Sequence, residues 1–169
     1  MKQRAYEKLI QNLDEIVKQY RLLLDTVRKE KELLVLGDIT KLNESNERKE
    51  QFISKIKSLD DNRLMFASDL AQAIGADHLE PRLLQLAQKI GGAEGDRLRT
   101  IHSTLELLIK RLMDLNKENA VYAESALKTV NSALANIKDT ITGGQKTYQK
   151  KGQYQQGSDQ SGHLISKEA

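Results

Sequence analysis

Apolar residues recur every three or four positions through most of this chain. Tyr6, Leu9, Ile10, Leu13, Ile16, Val17, Tyr20, Leu23, Leu24, Val27 and Leu34 fall on one face of a helix that Gly37 ends, which predicts a first helix over about residues 3–36. Asp38 stands where its side chain can cap the next helix. The stripe of that helix runs through Leu42, Lys49, Phe52, Ile53, Ile56, Leu59, Phe66, Leu70 and Ile74 to Gly75, giving a second helix over about 38–74. A joint as short as Gly37-Asp38 folds the two back on each other as an antiparallel hairpin.

Residues 75–95 break the pattern. Pro81 can open a short helix over about 80–90, with Leu83, Leu84, Leu86, Ala87 and Ile90 as its apolar positions, and Gly91, Gly92 and Gly95 follow as breakers. A last long helix is predicted from Asp96 to Ile141, before Gly143-Gly144. The fold class is therefore all-α: an elongated antiparallel bundle of three long helices plus one short connecting helix. From residue 143 to 169 the sequence turns to Gly, Gln, Lys and Ser, a composition that predicts a flexible polar tail.

The last helix carries two seams. Leu98, Ile101, Leu105, Leu108, Leu112 and Leu115 alternate three and four apart, and their continuation fades at Asn119, Tyr122, Ala126, Thr129 and Ala133. A second seam, one position displaced, takes over at Ala120, Ala123, Leu127, Val130, Leu134, Ile137 and Ile141. One position turns a helix face by about 100°. Either the helix rotates as it crosses its neighbours or pairs with a second copy, or the second seam is exposed. Length favours exposure: at 1.5 Å per residue the first two helices span about 50–55 Å and the last about 70 Å, so roughly three turns project if the helices begin level. An exposed apolar stripe of this kind marks a partner site, and helix-in-groove recognition is its natural chemistry.

Composition agrees with long helices and narrows the chemistry. The single Pro and the few aromatics leave little for strands. Without Cys there is neither a disulfide nor a thiolate metal site. Lys2 and Arg4 lead into a charged segment and no apolar run approaches the roughly 20 residues of a membrane span, so neither a signal peptide nor membrane insertion is expected and the protein reads as cytoplasmic. Net charge is +3, of which the tail holds +2 through Lys146, Lys150, Lys151 and Lys167 against Asp159 and Glu168. The helical body is close to neutral with both signs interspersed, which argues against nucleic-acid binding.

No catalytic set, cofactor site or metal site emerges. His78, His102 and His163 share no helical spacing, and His78-Leu79-Glu80 lacks the cysteines that would complete a deaminase-like zinc site. The Gly91–Asp96 stretch has no preceding strand and no Gly-Lys-Ser/Thr, so it reads as a hinge and not as a phosphate loop. Asp60 and Asp61 sit beside Arg63 on a surface helix. Asp14 with Lys18, Asp25 with Lys29 and Glu44 with Arg48 read as solvent-face i,i+4 pairs.

Three segments resemble the FlgN family of flagellar export chaperones. They are the hinge Leu36-Gly37-Asp38-Ile39-Thr40-Lys41-Leu42, the segment Leu115-Asn116-Lys117-Glu118-Asn119, and Lys146-Thr147-Tyr148-Gln149-Lys150-Lys151-Gly152-Gln153. These are similar to that family's helix hinge, its Asn-x-x-Asn motif and its C-terminal Tyr with Gly four residues on. The resemblance implies a chaperone that keeps the hook–filament junction proteins FlgK and FlgL unassembled and delivers them to the flagellar export apparatus. It implies client binding by the C-terminal part, here Asn119, Ala123, Leu127, Val130, Leu134, Ile137 and Ile141, and docking at the export gate through Tyr148 and Gly152. A self-assembling coiled-coil component of a secretion machine is the alternative, and the second seam would let the client-free chain form a homo-oligomer.

Overall fold

A computed structural model describes residues 1–142, with side-chain surroundings as far as Lys138. Helix α1 spans Lys2–Leu36, α2 Ile39–Ile74, α3 Leu83–Ile90 and α4 Gly92–Thr142. The chain falls into two units, Met1–Lys128 and Thr129–Ala169. The tail read from residue 143 onward, with Tyr148 and Gly152, lies outside the described residues.

The hinge between α1 and α2 is built as its sequence dictates. Gly37 takes the left-handed conformation at φ 68°, ψ 22°, where a Cβ is disfavoured. One residue on, the Asp38 carboxylate accepts a hydrogen bond from the Lys41 backbone N–H at 3.0 Å, and its other oxygen meets the Lys41 ammonium at 3.0 Å. The backbone N–H, and after it the ammonium, hold the Asp38 carboxyl below its ordinary pKa of 3.8. A carboxyl depressed in the folded state adds stability that is complete above the unfolded pKa and is lost as pH falls through the folded one. Asp38→Asn still caps but does not titrate. Its thermal midpoint is expected to fall less than that of the wild type between about pH 4 and pH 2, as followed by circular dichroism.

The core fills the half of the first unit that holds the start of α1. Leu9 and Leu13 of α1, Ala67, Leu70 and Ala71 of α2, Ala87 of α3 and Leu98 of α4 are completely buried, with Tyr6, Ile10, Ile16, Leu86 and Ile101 around them. Helix α4 runs parallel to α1 and antiparallel to α2. Tyr6 donates its hydroxyl to the Glu94 carbonyl at 3.1 Å, Arg97 pairs with Asp14 at 2.8 Å, and Lys31 meets Glu118 at 3.3 Å. The rising residue numbers on both helices fix that direction. Asp14 thus does more than stabilise its own helix, because its partner is on α4 and not at Lys18.

The connector departs from the sequence reading at its glycines. Helix α3 begins at Leu83, and α4 begins at Gly92, four residues before Asp96. Gly91 and Gly92, with φ of 67° and 54°, reverse the chain within two residues. Gly95 is not a breaker but lies inside α4, buried, where the Ala87 carbonyl of α3 occupies the space a side chain would need. Gly95→Ala is expected to force α3 and α4 apart at a cost of about 1–3 kcal/mol, measured by urea unfolding. An unchanged midpoint would show that α3 does not pack here.

Candidate interaction face on the last helix

The first seam of α4 loses burial along its length and ends in a polar layer. Leu98 and Ile101 are buried, while Leu105, Leu108, Leu112 and Leu115 are half-buried. Asn119 then returns to the interior at 5% exposure. Its Nδ2 donates to the Val27 carbonyl at 3.0 Å and reaches the Glu30 carboxylate at 3.4 Å. The other oxygen of Glu30 accepts from the Lys49 ammonium at 2.6 Å, with side chains only 12% and 19% exposed. One residue from each long helix therefore meets in a single hydrogen-bonded cluster. Such a layer inside an apolar seam fixes axial register, since sliding by one turn would strand its polar groups.

Asn116, three residues earlier, points elsewhere. It is exposed and lines a groove of about 500 Å³ together with Tyr20, Leu23, Lys49, Ile53 and Leu112. The two Asn residues of the motif thus divide their work between the interior and the surface. Asn119, expected on the fading end of the first seam and among the client-binding residues, is buried in the packing of α4 on α1.

Beyond Asn119 the apolar residues of the second seam face solvent. Leu127, Val130, Leu134 and Ile137 are 61%, 54%, 57% and 54% exposed, and Ala120 and Ala123 are exposed as well. Ile141 lies past the last residue whose side-chain surroundings are described. Among the described residues no packing covers this stripe. From Asn119 to Ile137 the only ionic side chains are Glu124 and Lys128, so the exposed face is aliphatic on an almost uncharged stretch of helix.

The hand-over between seams turns the face less than a one-position step suggests. A seven-residue repeat drifts by about 20° per heptad on a regular helix, so from Leu98 to Asn119 the first seam falls back by roughly 60°. The step forward of about 100° leaves a net turn of about 40°. Within the unit Met1–Lys128 the second seam, at Ala120, Ala123 and Leu127, thus looks to nearly the same side of α4 as the first.

Apart from Asp38 at the hinge, the titratable groups shifted among the described residues lie on α1. Burial raises Tyr6 and Tyr20, and the Lys55 ammonium together with Gln19 lowers Glu15. All three belong to α1. His102 faces Glu106 at 3.4 Å on its own helix. Among the described residues no three His, Cys, Asp or Glu converge as metal ligands, and no helix is long and apolar enough to cross a membrane. The face can bind by apolar contact.

Sequence reasoning missed two features. The Glu30–Lys49 pair had a signal in Lys49, a polar residue on the apolar stripe of α2. Val35, Leu36 and Ile39 at the hinge are 62%, 76% and 71% exposed, and their signal was being aliphatic while off the seam.

The FlgN protein family model matches residues 1–156. No curated protein and no solved structure matches the chain significantly. The match takes in the hinge, the Asn116–Asn119 segment and the whole of α4, and it extends over Tyr148 and Gly152. The chain belongs to the FlgN protein family, a family of flagellar export chaperones that bind flagellar proteins.

Proposed function

We propose that this chain is a cytoplasmic export chaperone that holds the C-terminal helical region of the hook–filament junction proteins FlgK and FlgL on the exposed face of α4. The observation that carries this reading is the stripe Leu127, Val130, Leu134 and Ile137, each more than half exposed at three-four spacing on one helix. Ala123 and Ile141 extend it by a turn at either end. A client's amphipathic helix laid on this stripe hides both apolar faces at once. Holding that helix also keeps the client from assembling before export.

Leu127, Val130, Leu134, Ile137 and Ile141 together offer on the order of 10 kcal/mol when fully buried. Association and ordering remove several kcal/mol, which leaves micromolar to nanomolar binding. Delivery needs a second site, and Tyr148 with Gly152 is our choice for docking at the export apparatus. The full chain, used as bait in an extract of flagellated cells, is expected to recover FlgK and FlgL. Recovery of neither, with the bait folded, would overturn the client assignment.

The same exposed stripe supports a second reading, in which copies of the chain pair through it as a self-assembling component. Light scattering separates the two. An oligomer that persists when FlgK or FlgL is added favours self-assembly, and a monomer or an oligomer that dissolves on client addition favours the chaperone.

A further inference from the structure

The α1–α2 hairpin ends in an apolar tip that its own turn does not require. Gly37 and Asp38 make the turn, yet Val35, Leu36 and Ile39 around it are large, aliphatic and mostly exposed. Polar residues would serve the turn equally well and would avoid an apolar surface. Something is gained by keeping these three.

Three contacts place α4 beside this tip. Asn119 donates to the Val27 carbonyl, Lys31 meets Glu118 at 3.3 Å, and the Lys31 ammonium stands over the Tyr122 ring 5.9 Å from its centre. The two helices are parallel here and each rises about 1.5 Å per residue. Leu36 is five residues past Lys31 and Leu127 five past Tyr122, so they stand at about the same height. On the helix wheel Ala123 and Leu127 lie about 40° and 80° from Asn119, which faces α1. Leu127 is thus turned away from Glu118 and Tyr122 and lies about 20° from Asn116 on the wheel, which lines a groove with Lys49 and Ile53 of α2, so it opens on the α2 side of the hairpin. All of these residues belong to the unit Met1–Lys128.

We infer that the hairpin tip and Leu127, all within the unit Met1–Lys128, form one apolar docking surface, a second wall for the part of a client helix seated at Leu127, which packs there against Val35, Leu36 and Ile39. This rests on the reading of α4 as the client-binding helix. The recognised client segment is then an amphipathic helix with aliphatic residues on two adjacent faces where it meets the tip, one for α4 and one for the hinge. Charged ligands find little here, because Lys31 pairs with Glu118, Lys41 with Asp38 and Lys49 with Glu30. A second copy docking tip to tip would bury three side chains a side, far short of the roughly 800 Å² per partner of a stable interface. The tip is too small to bind alone and adds to the apolar surface at Leu127.

The test uses the full chain and a fluorescent peptide covering the C-terminal helical region of FlgK. A triple variant Val35→Ser, Leu36→Ser, Ile39→Ser is expected to bind at least tenfold more weakly while keeping its circular dichroism and thermal midpoint. Leu36→Gln alone, at an exposed position, should lose binding in the same direction if the triple variant is less stable. Because the chain has no cysteine, Leu36→Cys can carry an environment-sensitive dye whose emission should shift to the blue when unlabelled peptide is added. Unchanged affinity and emission at the tip, with binding lost on truncating Leu134 and Ile137, would overturn the second wall and leave the α4 face standing. No binding by the wild-type chain would overturn both. A dimer broken by the tip variants with client affinity unchanged would assign the tip to a second copy and overturn the inference.

Discussion

Replacing Leu134 and Ile137 together with Ala is expected to weaken binding of a FlgK or FlgL C-terminal peptide about 100-fold and to leave the bundle as stable as before. Each truncation removes three carbons, and a buried methylene is worth about 0.8 kcal/mol, so the pair would lose roughly 5 kcal/mol if fully buried in the complex. A helix laid on another helix covers each side chain only in part. About half of that figure corresponds to the 100-fold loss. Stability should hold because both side chains are more than half exposed in the free protein, and Ala favours the helix at both positions. Calorimetric titration gives the first number and a thermal melt the second. A drop in the melting midpoint with loss of helicity would assign the stripe to the protein's own core.

Glu30→Ala is expected to cost about 2–3 kcal/mol, visible as a fall of several degrees in the melting midpoint. The substitution leaves the Lys49 ammonium and the Asn119 amide in a layer where neither has ready access to water. The cost is set below that of a fully buried ion pair because Lys49 retains some exposure. Asn119→Leu should behave in the opposite way: Glu30 keeps Lys49, and the leucine continues the seam of Leu112 and Leu115. Its midpoint is expected to stay level or rise. If both variants fell equally, Asn119 would be holding α4 to α1 by energy and not by register. If neither fell, the cluster would be a surface arrangement with no bearing on the bundle.

Much of this architecture was legible in the sequence because its cause is local. The three-four spacing of Leu9, Leu13, Ile16 and Val27 fixes which side of α1 is inside, and Gly37 with Asp38 fixes where the chain turns. The glycines of the connector were less legible. A glycine that breaks a helix and one that lets a carbonyl approach look the same in sequence, and only the position of Ala87 shows Gly95 to be the second kind. The ion pair of Arg97 with Asp14 was hidden for a related reason, since nearby i,i+4 partners compete on paper with partners from another helix.

The candidate face divides in the same way. That a second seam begins near Ala120 follows from spacing, and its exposure at Leu127, Val130, Leu134 and Ile137 sets aside packing against the described helices and leaves a partner or a second copy to cover it. The resemblance groups Asn119 with the client-binding residues because the motif adjoins the second seam, whereas its hydrogen bonds to Val27 and Glu30 tie it to the interior. The exposed apolar tip is hard to read in sequence because a helix-face pattern ranks residues by periodicity, and Val35 and Leu36 are out of phase with the stripe of α1.

The central claim is that the exposed face of α4 receives the client. Hydrogen exchange of the full chain, with and without a saturating peptide from the C-terminal helical region of FlgK, tests it most directly. The account predicts slowed exchange from Leu127 to Ile141, with a smaller change at Val35–Ile39 and none on the outer face of α2 around Glu47 and Ser54. Tight binding with protection confined to α2, or to the groove at Asn116, and no change between Leu127 and Ile141 would contradict it.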